Sequence, residues 1–464
     1  MHSSSMKSQR VATALLLLAA ATACKDEPLT APATPEAMTS KGGNKGASAA
    51  SECASDNAGI TLPDGFCAVV FADLVLDGRP AAARHMAITP KGDVFVAINA
   101  GGNRQPSFGI VGLRDNDGDG KADQQTQFSP GLGGSGLAWD AGTLYFGAND
   151  RVMRYKLSAG QLSPQGDAET IVSGLPNTGD HISKTVVVGK NKSLFVNFGS
   201  ASNACQVQNR VAQSPGVLPC PELPIRAGVW KFDATGTNMV QADGEHYATG
   251  LRNTVAMAWN SRTDELWGVP HGRDMLFENW PQFFTVDEDA VLPAEEFVRI
   301  ANGSNNGWPY CYFDAVFQRR KVLAPEYGGD GALVSNAAAG INCASYNQPM
   351  VTFGAHWAPN GLTFYTGRQF PRRYQGGAFV AFHGGFDRAP LPNEGYQVQF
   401  VPFGGNGLPS GGAEQFANGF AGSAGPLPAN AQHRPVGVTE GPDGSLYVSD
   451  DRGGRIYKIM YVGR

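Results

Sequence analysis

The chain has 464 residues, room for two average domains, yet only 17% of them are charged and the formal net charge is −5. That balance leaves no electrostatic footprint for nucleic acid or for an anionic membrane surface. With 60 glycines and 30 prolines, the composition argues against long helices and favours one long, turn-rich all-β domain.

At the N-terminus, Lys7 and Arg10 precede an apolar run over 11–23 that ends in small residues and leads directly to Cys24. The run is too short to span a bilayer and reads as a targeting segment. Basic, apolar, small and then Cys resembles a bacterial lipoprotein signal over 1–24, with Cys24 as the lipidated first residue of the mature chain. An ordinary secretory peptide cleaved at the same place is the alternative. Residues 25–51 are rich in Pro, Ala, Thr, Ser and Gly and predict a disordered tether. The reading is of an exported protein at the periplasm or cell surface, held to the membrane by lipid alone.

From residue 52 onward a strand phrase recurs six times, over 86–97, 137–147, 186–196, 257–268, 361–382 and 437–449. Each copy is an apolar strand, a break, then a second alternating strand. Repeats spaced above roughly 40 residues suit propeller blades. The expected fold over 52–464 is therefore an all-β, six-bladed β-propeller with long inter-blade insertions.

Other motifs lie outside the repeat. Asp115-Asn-Asp-Gly-Asp-Gly-Lys-Ala-Asp123 places Asp115, Asp117, Asp119 and Asp123 at loop positions one, three, five and nine, with the Lys121 carbonyl between them. That spacing can wrap a hard cation in oxygen ligands, and it predicts a structural Ca²⁺ loop. Thr126 stands where a helical calcium hand has its bidentate Glu. Further along, polar clusters flank the inner strands: Asp180-His181-Ile-Ser-Lys184, Gly250-Leu-Arg-Asn253, His271-Gly-Arg-Asp274, Asn302-Gly-Ser-Asn-Asn-Gly-Trp-Pro-Tyr-Cys311, His383 to Arg388, and His433-Arg434. Singly these are ordinary residues, but a propeller brings equivalent strand ends to one axial mouth. Arg and His placed there suit an anionic or carbonyl-bearing ligand.

Without Cys24 six cysteines remain, an even number that favours disulfides in an exported chain. Fifteen pairings are possible. The nearest-neighbour set, Cys53–Cys67, Cys205–Cys220 and Cys311–Cys343, is preferred because it closes three local loops. No Cys-Xaa-Xaa-Cys-His occurs, so electrons would leave through another molecule.

Together, Gly250-Leu-Arg-Asn253, His271-Gly-Arg-Asp274, Asn306-Gly-Trp-Pro-Tyr-Cys311 and Arg434-Pro-Val-Gly-Val, followed by Pro442-Asp-Gly-Ser-Leu-Tyr-Val-Ser-Asp450, resemble the glucose/sorbosone dehydrogenase family. These are soluble quinoproteins that oxidise sugars with pyrroloquinoline quinone (PQQ), and the likeness is nearest to the L-sorbosone dehydrogenase-like branch. The resemblance implies a six-bladed propeller oxidising an aldose or aldosone, with hydride passing to PQQ. It implies His181 as catalytic base and Arg252 facing the quinone oxygens. Asn253, His271, Arg434, Arg388 and Lys184 become candidate cofactor contacts. A cofactor-linked Ca²⁺ would take the backbone carbonyls of Gly272 and Arg273. Electrons would pass to an external acceptor of the cytochrome c or quinone type. Two departures stand out: Lys184 where relatives often have Arg, and Gly385-Phe-Asp387 in place of Ser-Trp-Asn. A non-catalytic propeller binding carbohydrate or protein remains the alternative, and a metal-dependent lactonase-type propeller has few acidic candidates.

Overall fold

The computed structural model describes residues 53–99, 108–423 and 425–463. Cys24, the targeting segment and the tether lie outside the described residues. Six small, mainly antiparallel sheets follow one another along the chain, two of them with a short parallel edge strand. The first blade is built from Ala83–Ile88, Val94–Ile98, Gly109–Arg114 and Gln124–Phe128. The inner strands of the next five are Gly134–Asp140, Val186–Val188, Ala256–Asn260, Pro359–Phe364 and Pro435–Glu440. Each repeated phrase in the sequence is one inner strand with its antiparallel partner, as in Val186↔Val196 and Met257↔Gly268. Successive inner strands pack side by side, and the sixth returns to the first. The chain is an all-β, six-bladed propeller.

Closure takes one further strand that the repeat does not reveal. Phe66–Asp73 pairs antiparallel with the last strand, Arg455–Tyr461, and becomes the outer strand of the sixth blade. N- and C-terminal segments thus share one sheet, which removes the open seam such a ring would otherwise have. Cys53–Cys67 ties the preceding segment to this strand.

The cores lie between blades. Phe95, Phe146 and Tyr155 fill the space between the first and second, while Trp267, Phe297 and Phe382 fill that between the fourth and fifth. At the inner ring the blades approach so closely that side chains are excluded. A Cβ on Gly136 would sit 2.3 Å from the Lys184 carbonyl, and one on Gly361 would sit 2.2 Å from that of Val436. A separate apolar cluster lies under the insertions, where Trp280, Phe284, Trp308, Tyr312 and Tyr327 surround Cys205–Cys220 and Cys311–Cys343. All three expected disulfides are present. The only α-helical turns among the described residues, Leu276–Asn279 and Val286–Asp289, belong to this cap.

Candidate functional site

Because strands alternate in direction, the start of every inner strand and the end of its partner reach the same face of the ring. On that face all six blades contribute a polar group. The first gives Arg84 and His85. Arg84 Nε donates to Ser135 Oγ of the second blade at 3.4 Å, and Ser135 Oγ donates to Ser183 Oγ, leading into the third, at 3.3 Å. His181 stands just before, on the same loop. The fourth blade gives Arg252, Asn253 and His271; the fifth gives Asn360 and His383; the sixth gives Arg434 and Asp451.

Asn360 joins the two halves of this ring. Its carbonyl accepts from His85 Nε2 at 2.6 Å, and its side-chain oxygen accepts from His271 Nε2 at 3.0 Å. His271 also donates to the Pro359 carbonyl at 2.8 Å. On the other side Asp451 receives Arg84 Nη1 at 2.6 Å and His383 Nε2 at 2.7 Å. Arg434 donates to the carbonyls of His383 and Gly384, both at 2.9 Å. Beneath runs an axial cavity of about 290 Å³, lined by the inner strands with His85 at its upper rim.

His181 Nδ1 lies 3.0 Å from the Ser200 carbonyl and 2.9 Å from Ser200 Oγ. Ser200 Oγ already donates to the Ser202 carbonyl at 2.6 Å, so both oxygens accept and Nδ1 carries the hydrogen. The tautomer leaves Nε2 with a free lone pair. Burial first, then the Arg252 charge and His271, holds this imidazole well below its ordinary pKa. Burial likewise takes His85, His271 and His383 down to about 4, assisted by Arg84, Arg252 and Arg434 respectively. Four imidazoles around the mouth are therefore neutral at neutral pH, and the positive charge there belongs to guanidinium groups.

Arg252 is fixed from four directions. Its Nε donates to the Asn203 carbonyl at 3.1 Å, and its Nη2 to Asn203 Oδ1 and Asp274 Oδ2, each at 2.9 Å. Its Nη1 donates to the Gly272 carbonyl at 2.6 Å. Asn203 also takes Trp308 Nε1 and the Asp274 amide, which makes it the hub joining the insertions to the fourth blade. Burial opposes ionisation of Asp274, but Arg252, His356 and Arg210 outweigh it and keep the carboxylate well below its usual range. Asn253 is buried beside this group; its side-chain oxygen accepts from Asn197 at 3.5 Å and its carbonyl receives the His271 amide.

Three expectations need correction. Lys184 is fully buried with its ammonium on the carbonyls of Pro176 and Ile182, both at 2.7 Å, so it braces its own loop and does not reach the mouth. Burial lowers its pKa to about 7. Arg388 donates to the carbonyls of Pro392, Ala290 and Ala355 and pairs with Glu394, which makes it a strut behind the fifth blade. Gly272 offers a carbonyl already held by Arg252, and a cation on the same oxygen would face that guanidinium. The Arg273 carbonyl accepts no hydrogen bond among the described residues, and its side chain turns away to pair with Glu326.

The Asp115 loop stands at the opposite face, between Gly109–Arg114 and Gln124–Phe128. Carboxylate oxygens of Asp115, Asp117 and Asp119 gather within 4.8 Å of one another. Asp115 accepts from the amides of Gly118 and Gly120 at 2.6 and 2.9 Å, and Asp123 from the Asn116 amide at 2.6 Å. The turn is thus shaped by its own carboxylates. It takes no part in the axial mouth.

Comparison with known proteins agrees with this architecture. The TrAA12-like family model matches residues 65–462, and the chain belongs to that family. The match does not single out a sorbosone branch. An iodide structure of the Trichoderma reesei protein of Carbohydrate-Active Enzymes Family AA12 is 21% identical, with a TM-score of 0.67, covering 87% of this chain and 98% of that one. The holo form of the pyranose dehydrogenase PQQ domain from Coprinopsis cinerea is 19% identical, with a TM-score of 0.66, covering 86% and 97%. At these identities the likeness establishes the fold. A Borreliella burgdorferi protein described as uncharacterized is 25% identical over 276 residues, and the match covers 59% of each chain.

Proposed function

We propose that the chain is a PQQ-dependent oxidoreductase that oxidises an aldose or aldosone and passes the electrons to an external acceptor. The observation that carries this reading is the ring itself: three guanidinium groups and four neutral imidazoles, drawn from distant blades, face one mouth. Two carboxylates, Asp274 and Asp451, do not cancel Arg84, Arg252 and Arg434, so one positive charge is left over for an anionic ligand. That donor set fits a planar tricarboxylic acid. Family membership and the fold shared with a PQQ-holding pyranose dehydrogenase domain add support.

Bound PQQ supplies the oxidant, a quinone carbonyl that accepts hydride from the sugar. Arg434, Arg84 and Asn253 are the residues that would hold its polar edge. Arg252 is locked in orientation by Asn203 and Asp274, so it can stabilise developing oxyanion charge without reorganising. His181 Nε2 takes the proton of the anomeric or hydrate hydroxyl, and the Ser200 carbonyl keeps the resulting imidazolium aligned through Nδ1–H. A Ca²⁺ linked to the cofactor would draw on the Arg273 carbonyl, and the Asp115 loop would hold a second, structural Ca²⁺. We further propose export and attachment through Cys24.

The test is a titration of apo protein with PQQ, with and without Ca²⁺, followed by visible absorbance and then by dye-coupled turnover across aldoses and aldosones. Bleaching of the oxidised quinone by at least one sugar is expected. His181→Ala should retain PQQ and lose about 10²- to 10⁴-fold in kcat. A protein that binds PQQ yet reduces no dye with any sugar is a binding propeller and not this enzyme.

A further inference from the structure

A groove of about 690 Å³ runs along the outer part of the fifth blade, away from the axial cavity. Its wall is the strand Tyr396–Val401. Alternation puts Val398 and Phe400 of this strand into the core shared with the sixth blade, and Val401 into the core shared with the fourth. Gln397 and Gln399 occupy the same face as Val401, where apolar residues would be expected to continue. Both are 6% exposed, and among the described residues neither carboxamide makes a hydrogen bond. Both carboxamides line the open groove, where they keep contact with solvent and can exchange it for an external partner. Asn393 Oδ1 and Trp357 Nε1, from the flanking loops, line the same groove and are buried without a partner, an exception to the usual pairing of buried polar groups. Gln415 stands opposite Gln399 on the outer strand and carries the amide row to the rim.

We infer that this groove is a second carbohydrate-binding site, taking a neutral oligosaccharide or polysaccharide chain. Carboxamides both donate and accept, as sugar hydroxyls do, and Gln397 and Gln399 stand about 7 Å apart along the strand, a spacing that can engage successive hydroxyls. No Lys, Arg or His lines the groove, and its single carboxylate, Glu394, is paired with Arg388. That argues against an acidic glycan. One wall, Tyr396, has the Arg434 guanidinium over its ring at 5.9 Å, so a bound chain lies beside the axial mouth without entering it.

The experiment uses the full chain without PQQ or Ca²⁺, so it stands whether or not the redox reading holds. Native gels cast with laminarin, mannan, xyloglucan or hydroxyethyl cellulose should retard the protein with at least one of them. The double variant Gln397→Ala/Gln399→Ala should weaken that retardation about tenfold, and Asn393→Ala, on a loop outside the sheet, by about threefold. His181→Ala should be retarded like the parent. Where the double variant melts early, Asn393→Ala and Gln399→Glu, which places a charge beside the sugar, carry the test. Retardation by none of the four glycans, or retardation that these variants leave intact, overturns the assignment.

Discussion

The Arg252 guanidinium spends its fork on Asn203 O, Asn203 Oδ1, Gly272 O and Asp274 Oδ2 at once. A planar, pre-shaped donor can do this, whereas an ammonium cannot. Arg252→Lys should therefore keep the charge and lose the geometry: the Asn203 oxygens retain Trp308 and the Asp274 amide, but the Gly272 carbonyl loses its donor, at about 1–3 kcal/mol for an unsatisfied acceptor. Urea unfolding should register that loss, and PQQ titration should register weaker binding; unchanged values in both would mean that charge alone matters at 252. The same scale shows what sequence could reveal. His181, Arg252, His271 and Arg434 reach the mouth because they sit next to inner strands, the positions the repeat identifies. Arg84 and His85 obey the same rule at the start of the first inner strand, so the signal for them was present. Asn203 had none, since it lies in an insertion and acts through hydrogen bonds no motif encodes. Lys184 and Arg388 also stand near strand ends, but burial among carbonyls claims their charges for the scaffold.

At the level of elements, the blades follow from local pattern while the cap over the fourth blade does not. Apolar strand, break and alternating strand identify an inner hairpin within a dozen residues. The segments around 203–227 and 271–346 lack that periodicity and are ordered by two disulfides and an aromatic cluster. Cys205–Cys220 closes a loop with a sequence separation of 15. Chain-entropy arithmetic for such a loop gives about 3 kcal/mol. Cys205→Ala/Cys220→Ala should lower the urea midpoint accordingly and open the cap to limited proteolysis before the blades. Because Asn203 and Trp308 belong to this cap, the variant should also loosen Arg252 and weaken cofactor binding. Simultaneous proteolysis of cap and blades would show that the clasp stabilises the molecule as one unit.

For the whole molecule, the buried titratable groups on the upper face set how stability depends on pH. His85, His271 and His383 fall from 6.5 to about 4, and burial also holds His181 well below its ordinary value. Depressed groups contribute stability that is complete above the unfolded value and lost as pH drops through the folded one. At about pH 5.5, midway through this fall, the unfolded chain therefore binds nearly four more protons at these sites. Glu295 and Asp289 work against them: burial raises each to about 7, so their contribution is present at low pH and fades as pH climbs toward 7. Four imidazoles against two carboxyls leave a net uptake of about two protons on unfolding, and stability should rise with pH across this window by about 1.4 kcal/mol per pH unit for each proton. Above neutrality two buried cations act against each other: burial takes Lys184 from 10.5 down to about 7, so its contribution to stability grows as pH rises past 7. Burial disfavours the His356 cation, but Asp274 outweighs burial and lifts its pKa to about 9, giving stability complete below 6.5 and lost as pH passes 9. The two terms nearly cancel, so urea unfolding should show stability rising from pH 5 to about 7 and levelling out toward pH 9. His356→Gln should leave Lys184 unopposed and make stability keep climbing beyond pH 7. A curve that falls from pH 5 to 7 would place charged imidazoles at the mouth, and with them a positive field too large to match the ring of guanidiniums and neutral rings described above.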